Sequence, residues 1–147
     1  MPSPIRIRRH GSGVNPERGL IDTSVVIGLD EVDPNRLPAD IAISTLTLAE
    51  LTSGPHATRD NRERARRQRH LQRIEATFEP LPFDLDSTRA FGLVCAATAA
   101  AGRKAGGSRI VDLMIAATAL AHELPLYTLN PSDLRGLDDL VEIVDLA

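Results

Sequence analysis

Gly19-Leu20-Ile21-Asp22-Thr23-Ser24-Val25-Val26-Ile27 decides the fold. Its first three residues form an apolar run of the length of a short buried strand, and Thr23 to Leu29 reads as the helix that follows, so a carboxylate stands where strand hands over to helix. Asp is a favoured helix N-cap, which gives Asp22 a structural reason to be there. In an open α/β sheet the carboxyl ends of parallel strands are also where ligands bind, which gives it a chemical one.

Outward from this stretch the same alternation repeats. Pro34 and Pro38 close a loop, Asp40 to Ser44 reads as a second strand, and Leu48 to Ser53 reads as a helix stopped by Gly54-Pro55. A long helix is expected from about Arg59 to Thr77, a short strand at Leu81 to Phe83, and an alanine-rich helix from Ser87 to Ala101 that ends at the breakers Gly102, Gly106 and Gly107. Ser108 then caps a helix reaching His122, Pro125 to Thr128 opens a strand, and Leu140 to Val144 supplies the last. Strands alternating with helices imply an α/β fold with a mostly parallel central sheet covered on both faces. With 147 residues there is enough chain for one well-filled core, and no break in composition suggests a second.

Two further carboxylates fall at helix starts. Glu50 lies in Ser44-Thr45-Leu46-Thr47-Leu48-Ala49-Glu50-Leu51, where Thr47 and Glu50 have the spacing of a capping box. Asp112 lies in Arg109-Ile110-Val111-Asp112-Leu113-Met114, in the first turn after Ser108, where the helix dipole favours an acid. Capping and catalysis are compatible readings, because a carboxylate at a helix start is held rigidly and a metal site needs rigid ligands. Hard oxygen donors from separate elements suit Mg²⁺ or Mn²⁺. A zinc reading fails: the chain has one cysteine, Cys95, and His10, His56, His70 and His122 have no zinc-like spacing. Carboxylates around a divalent ion with open water positions serve phosphate-ester chemistry, so a nuclease or a phosphatase is expected.

The ordered motifs resemble the PIN domain, and within it the VapC-like toxin ribonucleases. The resemblance covers roughly residues 19–147 and rests on four stretches in sequence order: Leu20 to Val25, Ile43 to Gly54, Val111 to Ala119, and Leu126-Tyr127-Thr128-Leu129-Asn130-Pro131-Ser132-Asp133-Leu134. It implies a three-layer α/β/α fold and cleavage of RNA phosphodiester bonds, with Asp22, Glu50 and Asp112 as the catalytic and metal-holding acids. Thr23, Ser24 and Thr128 would sit at the pocket rim, facing phosphate or backing the ligands, although for Ser24 capping and turn bonds are the better reading. Many members carry a fourth acid where this chain has Asn130, an amide that can ligate or orient water but adds no charge. That departure puts a second tightly held metal in doubt. Asp133 reads as a turn or helix-start residue rather than a ligand. The resemblance further implies a small antitoxin that buries the site, and homodimerisation.

Charge is unevenly spread. The net charge is −3, but Pro55 to Glu75 holds seven arginines against three acids, a local +4 on a remainder of −7. Arg59, Arg62, Arg66, Arg69 and Arg73 are spaced 3, 4, 3, 4 and would form one stripe on a helix. An ordinary solvated face with pairs such as Asp60 with Arg64 and Glu63 with Arg67 explains such a stripe. A surface for RNA phosphates or an acidic partner explains it too, and is favoured by the lack of apolar anchors between His56 and His70, which should make the helix project.

The remaining features set the setting. Residues 1–18, with Arg6, Arg8 and Arg9 but no apolar stretch of secretory type, read as a flexible tail from an upstream start or added sequence. Residues 19–147 read as the nuclease domain. No apolar run reaches membrane-spanning length, and a lone cysteine, read as a small buried residue, suits a reducing cytoplasm. A phosphoacceptor signalling module is disfavoured because Leu20 to Ser24 carries one acid and the only lysine is Lys104; a haloacid-dehalogenase-like phosphatase is disfavoured because its second loop acid is Ser24 here. A catalytically silent RNA-binding or interaction protein on the same fold is the alternative that survives.

Overall fold

The computed structural model describes residues 17–147. Strands β1 (Arg18–Ile21), β2 (Asp40–Ala42), β3 (Leu126–Thr128) and β4 (Ile143–Asp145) form one sheet in the order β2-β1-β3-β4, with every pairing parallel. Five helices accompany them: α1 (Thr23–Ile27), α2 (Thr45–Ser53), α3 (Asn61–Thr77), α4 (Leu85–Ala100) and α5 (Ile110–Ala121). Short 3₁₀ turns at Gly54–Ala57, Gly107–Arg109 and Pro131–Leu134 join some of them.

Side chains alternate across a strand, and the two faces of this sheet are filled accordingly. Leu20, Ala42 and Leu126 pack with Val94 of α4 and Leu113, Ala116 and Ala117 of α5. Ile21, Ile43 and Tyr127 face the other way, onto Val25 and Val26 of α1, Leu51 of α2, and Leu71 and Ile74 of α3. The outcome is the expected three-layer α/β/α arrangement. Gly19 is required at the β1–β3 contact, because a Cβ there would overlap the Tyr127 ring. Gly136 is required for a second reason: its φ is +95° and a Cβ would stand 2.6 Å from that of Ala101.

Strand order reverses about β1: the chain moves first to β2 on one side, and later to β3 and β4 on the other. The crevice at such a switch point, beyond the carboxyl ends of the strands, is where open α/β sheets bind ligands. The segments after β1 and β3 meet there, and Asp22 N–H donates to Tyr127 O at 3.0 Å.

Several boundaries differ from the sequence reading. Helix α2 begins at Thr45 under a Ser44 cap, whose Oγ accepts from Leu46 N–H at 3.0 Å, so the Thr47 capping box is not formed. The reason is tertiary: Ser44 bridges to Leu81 and Thr45 N–H donates to Leu81 O, which ends the extended segment at residue 44. Leu81 contributes only that isolated bridge instead of a strand. Helix α5 starts after Arg109, which makes no side-chain cap bond, and Ser108 lies inside the preceding 3₁₀ turn. Asp60 caps α3, so Arg59 precedes the helix and the stripe keeps four members on it. Arg18 already belongs to β1 and pairs with Asp40 at 3.4 Å, while residues 1–16 of the expected tail lie outside the described residues. Cys95 is a free thiol and only half-buried. Among the described residues no helix is long and apolar enough to cross a membrane.

Candidate active site

Asp22 ends β1 and caps α1. Its Oδ1 accepts from Val25 N–H at 3.1 Å and from Ser24 Oγ–H at 2.6 Å, so cap bonds fix the rotamer of the carboxylate. Ser24 in turn accepts from Leu129 N–H at 3.1 Å, tying the β1 and β3 exits together. Ser24 therefore does the capping and turn work expected of it.

Asp112 arrives from the first turn of α5. With Asp22, Ser24, Asn130 and Asp133 it lines a small cavity of about 40 Å³ at the switch point. Burial raises the Asp112 carboxyl to about 6, helped by the charges of Glu50, Asp133 and Asp22, with Arg109 opposing. Asp133, read from sequence as a turn residue, thus belongs to the acidic site. Pro131 starts a 3₁₀ turn whose Asp133 N–H donates to Asn130 O at 3.1 Å, and this folds the acid back over the cavity. The spacing Asn130-Pro131-Ser132-Asp133, with proline as first turn residue, was the available signal.

Glu50 stands across from these acids, in a neighbouring groove of about 360 Å³ that Thr23, Ile27, Leu51, Arg67 and His70 also line. Thr23 Oγ1–H donates to Glu50 Oε1 at 2.5 Å, which leaves Thr47 Oγ1 to donate to Thr23 Oγ1 at 3.0 Å. Thr47, fully buried, is the anchor of this relay and was missed as a functional residue. Thr128 is buried and lines neither cavity. Its Oγ1 accepts from Asn130 N–H at 2.9 Å, so it shapes the turn that carries Asn130 instead of facing the pocket. Asn130 itself is exposed at the rim.

Among the described residues, no three His, Cys, Asp or Glu side chains stand close enough to ligate one ion jointly. The donor set nevertheless fits a hard cation: all the donors are oxygens, and the charges of Glu50, Asp133 and Asp22 add to burial in raising the cost of ionising Asp112. Mg²⁺ keeps several waters and is bound through one or two carboxylates, which suits acids spread around a cavity. Asp22 and Asp112, with Asp133 beside them and Glu50 across the gap, are the residues that could hold it.

The arginine-rich helix is anchored at its far end by Leu71 and Ile74, and its first two turns, expected to project, are exposed on most side chains but held to the Gly54–Ala57 turn by Arg67, which donates to Gly54 O at 2.8 Å. Arg59, Arg62, Arg66, Arg69 and Arg73 are all exposed. Glu63 binds Arg66 through both oxygens at 2.8 and 2.7 Å and Arg67 at 2.7 Å, and these guanidinium groups hold its carboxyl down at about 2. The anticipated Asp60–Arg64 pair is replaced: Arg64 donates to Pro55 O and Thr58 O. His70 Nε2–H donates to Val26 O at 3.0 Å, closing the groove between α1 and α3.

Residues 20–138 match the PIN domain family. Ribonuclease VapC5 of Mycobacterium tuberculosis is 34% identical over 131 residues, spanning 87% of this chain and 93% of that protein. VapC ribonuclease Y4jK of Sinorhizobium fredii is 30% identical over 136 residues, 81% of this chain and 93% of that protein. Among solved structures, the crystal structure of VapBC-5, a member of the VapBC family of toxin-antitoxin systems from Mycobacterium tuberculosis, superposes with a TM-score of 0.78 at 36% identity, covering 88% of this chain and 99% of that one. VapBC-1 of nontypeable Haemophilus influenzae, 22% identical with a TM-score of 0.68 over 88% of this chain and 98% of that one, shares the fold. The strand order that puts carboxylates at the switch point and these whole-domain matches agree: the chain belongs to the PIN domain family.

Proposed function

We propose that this chain is a divalent-metal-dependent ribonuclease, the toxin of a toxin-antitoxin pair. The observation that carries the reading is the gathering of Asp22, Asp112 and Asp133, with Glu50 opposite, at the sheet's switch point, where Asp112 is pushed to about 6. Mutual repulsion of that kind is relieved by a cation. Bound among these acids, Mg²⁺ or Mn²⁺ supplies neutralisation of phosphoryl charge and acidification of water, as phosphodiester hydrolysis requires.

The chain's own residues do the rest. Asp22 is oriented by Val25 N–H and Ser24, and Glu50 by the Thr47–Thr23 relay, so both acids keep their positions as an RNA strand enters. Asn130, exposed at the rim, orients a water or a phosphate oxygen through its amide. The groove between α1, α2 and α3 abuts Glu50 and offers apolar Ile27 and Leu51 beside Arg66 and Arg67, a surface fitted to an amphipathic antitoxin segment with acidic residues. Leu85 and Leu93, exposed on α4, present apolar surface to a second copy in a homodimer. A reducing cytoplasm suits the lone thiol.

Mapping RNA 5′ ends after induction of the wild type and of Asp112→Asn tests the reading. New ends are expected with the wild type alone. New ends identical in both would remove Asp112 from the chemistry, and none in either despite soluble protein and added Mg²⁺ would favour the alternative of a silent RNA-binding protein, the reading to which Asn130 and the open spacing of the acids point.

A further inference from the structure

Beside the acidic cavity lies an open depression of about 670 Å³ walled by Arg103, Lys104, Arg109, Arg135, Ser132 and Asp133. It joins the loop after α4 to the 3₁₀ turn before α5 and the turn after β3. Four cations meet one carboxylate there, whereas the stripe on α3 has Glu63 binding two of its neighbouring arginines. Asp133 belongs to both walls, so the basic depression is continuous with the acidic cavity.

Two details indicate a ligand with oxygen acceptors. Arg109 Nη1 is buried and has no hydrogen-bond partner among the described residues, a costly condition for a guanidinium unless an acceptor arrives. Arg103 Nη1–H donates to Ser132 O at 2.7 Å, which stiffens the junction between the two cavities, while Lys104 and Arg135 project into solvent. Two exposed cations and one buried donor spread over an open depression beside the acidic cavity suit an extended chain of several phosphates better than one small anion.

We infer that this depression binds the RNA backbone on one side of the scissile phosphodiester, with Lys104 and Arg135 neutralising flanking phosphates and Arg109 donating to the phosphate nearest the cut. The inference rests on the ribonuclease reading and names how that site holds its substrate. Being sequence-independent, these contacts set affinity and register, not base choice.

The test uses full-length protein carrying Asp112→Asn, so that RNA is bound without turnover, and a single-stranded RNA 12-mer of mixed sequence with Mg²⁺. Adding Lys104→Gln and Arg135→Gln should weaken binding about tenfold and flatten the slope of log affinity against log salt by about 1.4, given roughly 0.7 per phosphate contact on single strands. Each single substitution should give about half that change of slope. With Asp112 restored, the double variant should keep kcat but show a raised KM, and trimming the RNA from one end should erase the difference from wild type. Unchanged affinity and slope in a variant that still cleaves would overturn the inference while leaving the ribonuclease reading intact. Loss of antitoxin binding with RNA binding intact would overturn it too, making the depression a protein interface. A wild type that neither binds nor cleaves RNA would remove both.

Discussion

Acids sit at both ends of this sheet, fully buried at one and half-buried at the other, and they are treated in opposite ways. At the amino end Asp40, 1% exposed, starts β2 and faces Arg18 at 3.4 Å. At the carboxyl end Asp22, Asp112 and Asp133 share a cavity in which the neighbouring acids' charges bear on Asp112 and Arg109 opposes them. One end holds its countercharge within the fold, although neither Asp40 oxygen accepts a hydrogen bond among the described residues. The other is left for something that binds, and so the structure separates acids that hold the sheet together from acids that strain it.

The largest expected effect comes from neutralising the strained end: if Asp22 and Asp112 hold the metal as proposed, Asp22→Asn or Asp112→Asn should lower RNA cleavage at least about a hundredfold, since each removes a ligand charge. The compensated end should respond through stability instead. Arg18→Met strands the Asp40 charge in the interior and should cost roughly 3 kcal/mol by denaturant unfolding, with cleavage per folded molecule unchanged. Near-equal melting of Arg18→Met and the wild type would dissolve the contrast.

A third prediction targets the relay between the two faces of the site. Thr23→Val removes the donor to Glu50 Oε1 and should weaken Mn²⁺ binding about 10-fold, as loss of a group orienting a metal ligand does. Calorimetric titration measures this directly, and unchanged affinity would show that Glu50 needs no support.

pH should sharpen the comparison. The Asp112 carboxyl is raised from 3.8 to about 6, so between those values the folded protein binds more protons than the unfolded chain, and this group's contribution to stability falls as pH rises through that window. The metal-free protein should therefore gain on the order of 1 kcal/mol from Asp112 as pH drops from 7 to 4, once solvent screening at a half-buried site is allowed for, and Asp112→Asn should abolish that gain. Metal affinity should run the other way, declining below about pH 6 as Asp112 takes up its proton. The smallest effect is expected at the arginine helix: reversing Arg62, Arg66 and Arg69 to Glu should barely move the melting temperature, because these side chains are exposed and Leu71 and Ile74 do the anchoring. If the stripe serves RNA or antitoxin, affinity for one of them must fall in that variant.

Local pattern was enough to set the layers and the three headline acids. Short apolar runs at Gly19 to Ile21 and around Leu126 admit little except buried parallel strands, and an acid following such a run at a helix start has few other places to go. The run from Leu140 to Val144 was different: it is apolar on both sides of Glu142, so nothing in it reveals that Val141 N–H turns back to Leu137 O and pairing with β3 begins only at Ile143. Ser44 and Thr47 are equally good caps by type. The choice between them fell to Leu81, 37 residues beyond Ser44, whose carbonyl fixes where the extended chain stops.

The Ser44 cap moves Glu50 from the expected helix start into the second turn of α2, so what the sequence by itself determined is the alternation of strand and helix, the two-sided core, and the identity of Asp22 and Asp112 as acids at helix starts. These follow from periodicity and capping, which act over a few residues. Only the tertiary structure decided that Asp133 folds back beside Asn130 onto the acidic cavity, that Thr47 holds Glu50 through Thr23, that Thr128 turns inward, and that four cations line the depression next to that cavity. Each of those depends on side chains from separate elements meeting in space, and a distance between elements is set by packing across the sheet, not by any local run of residues.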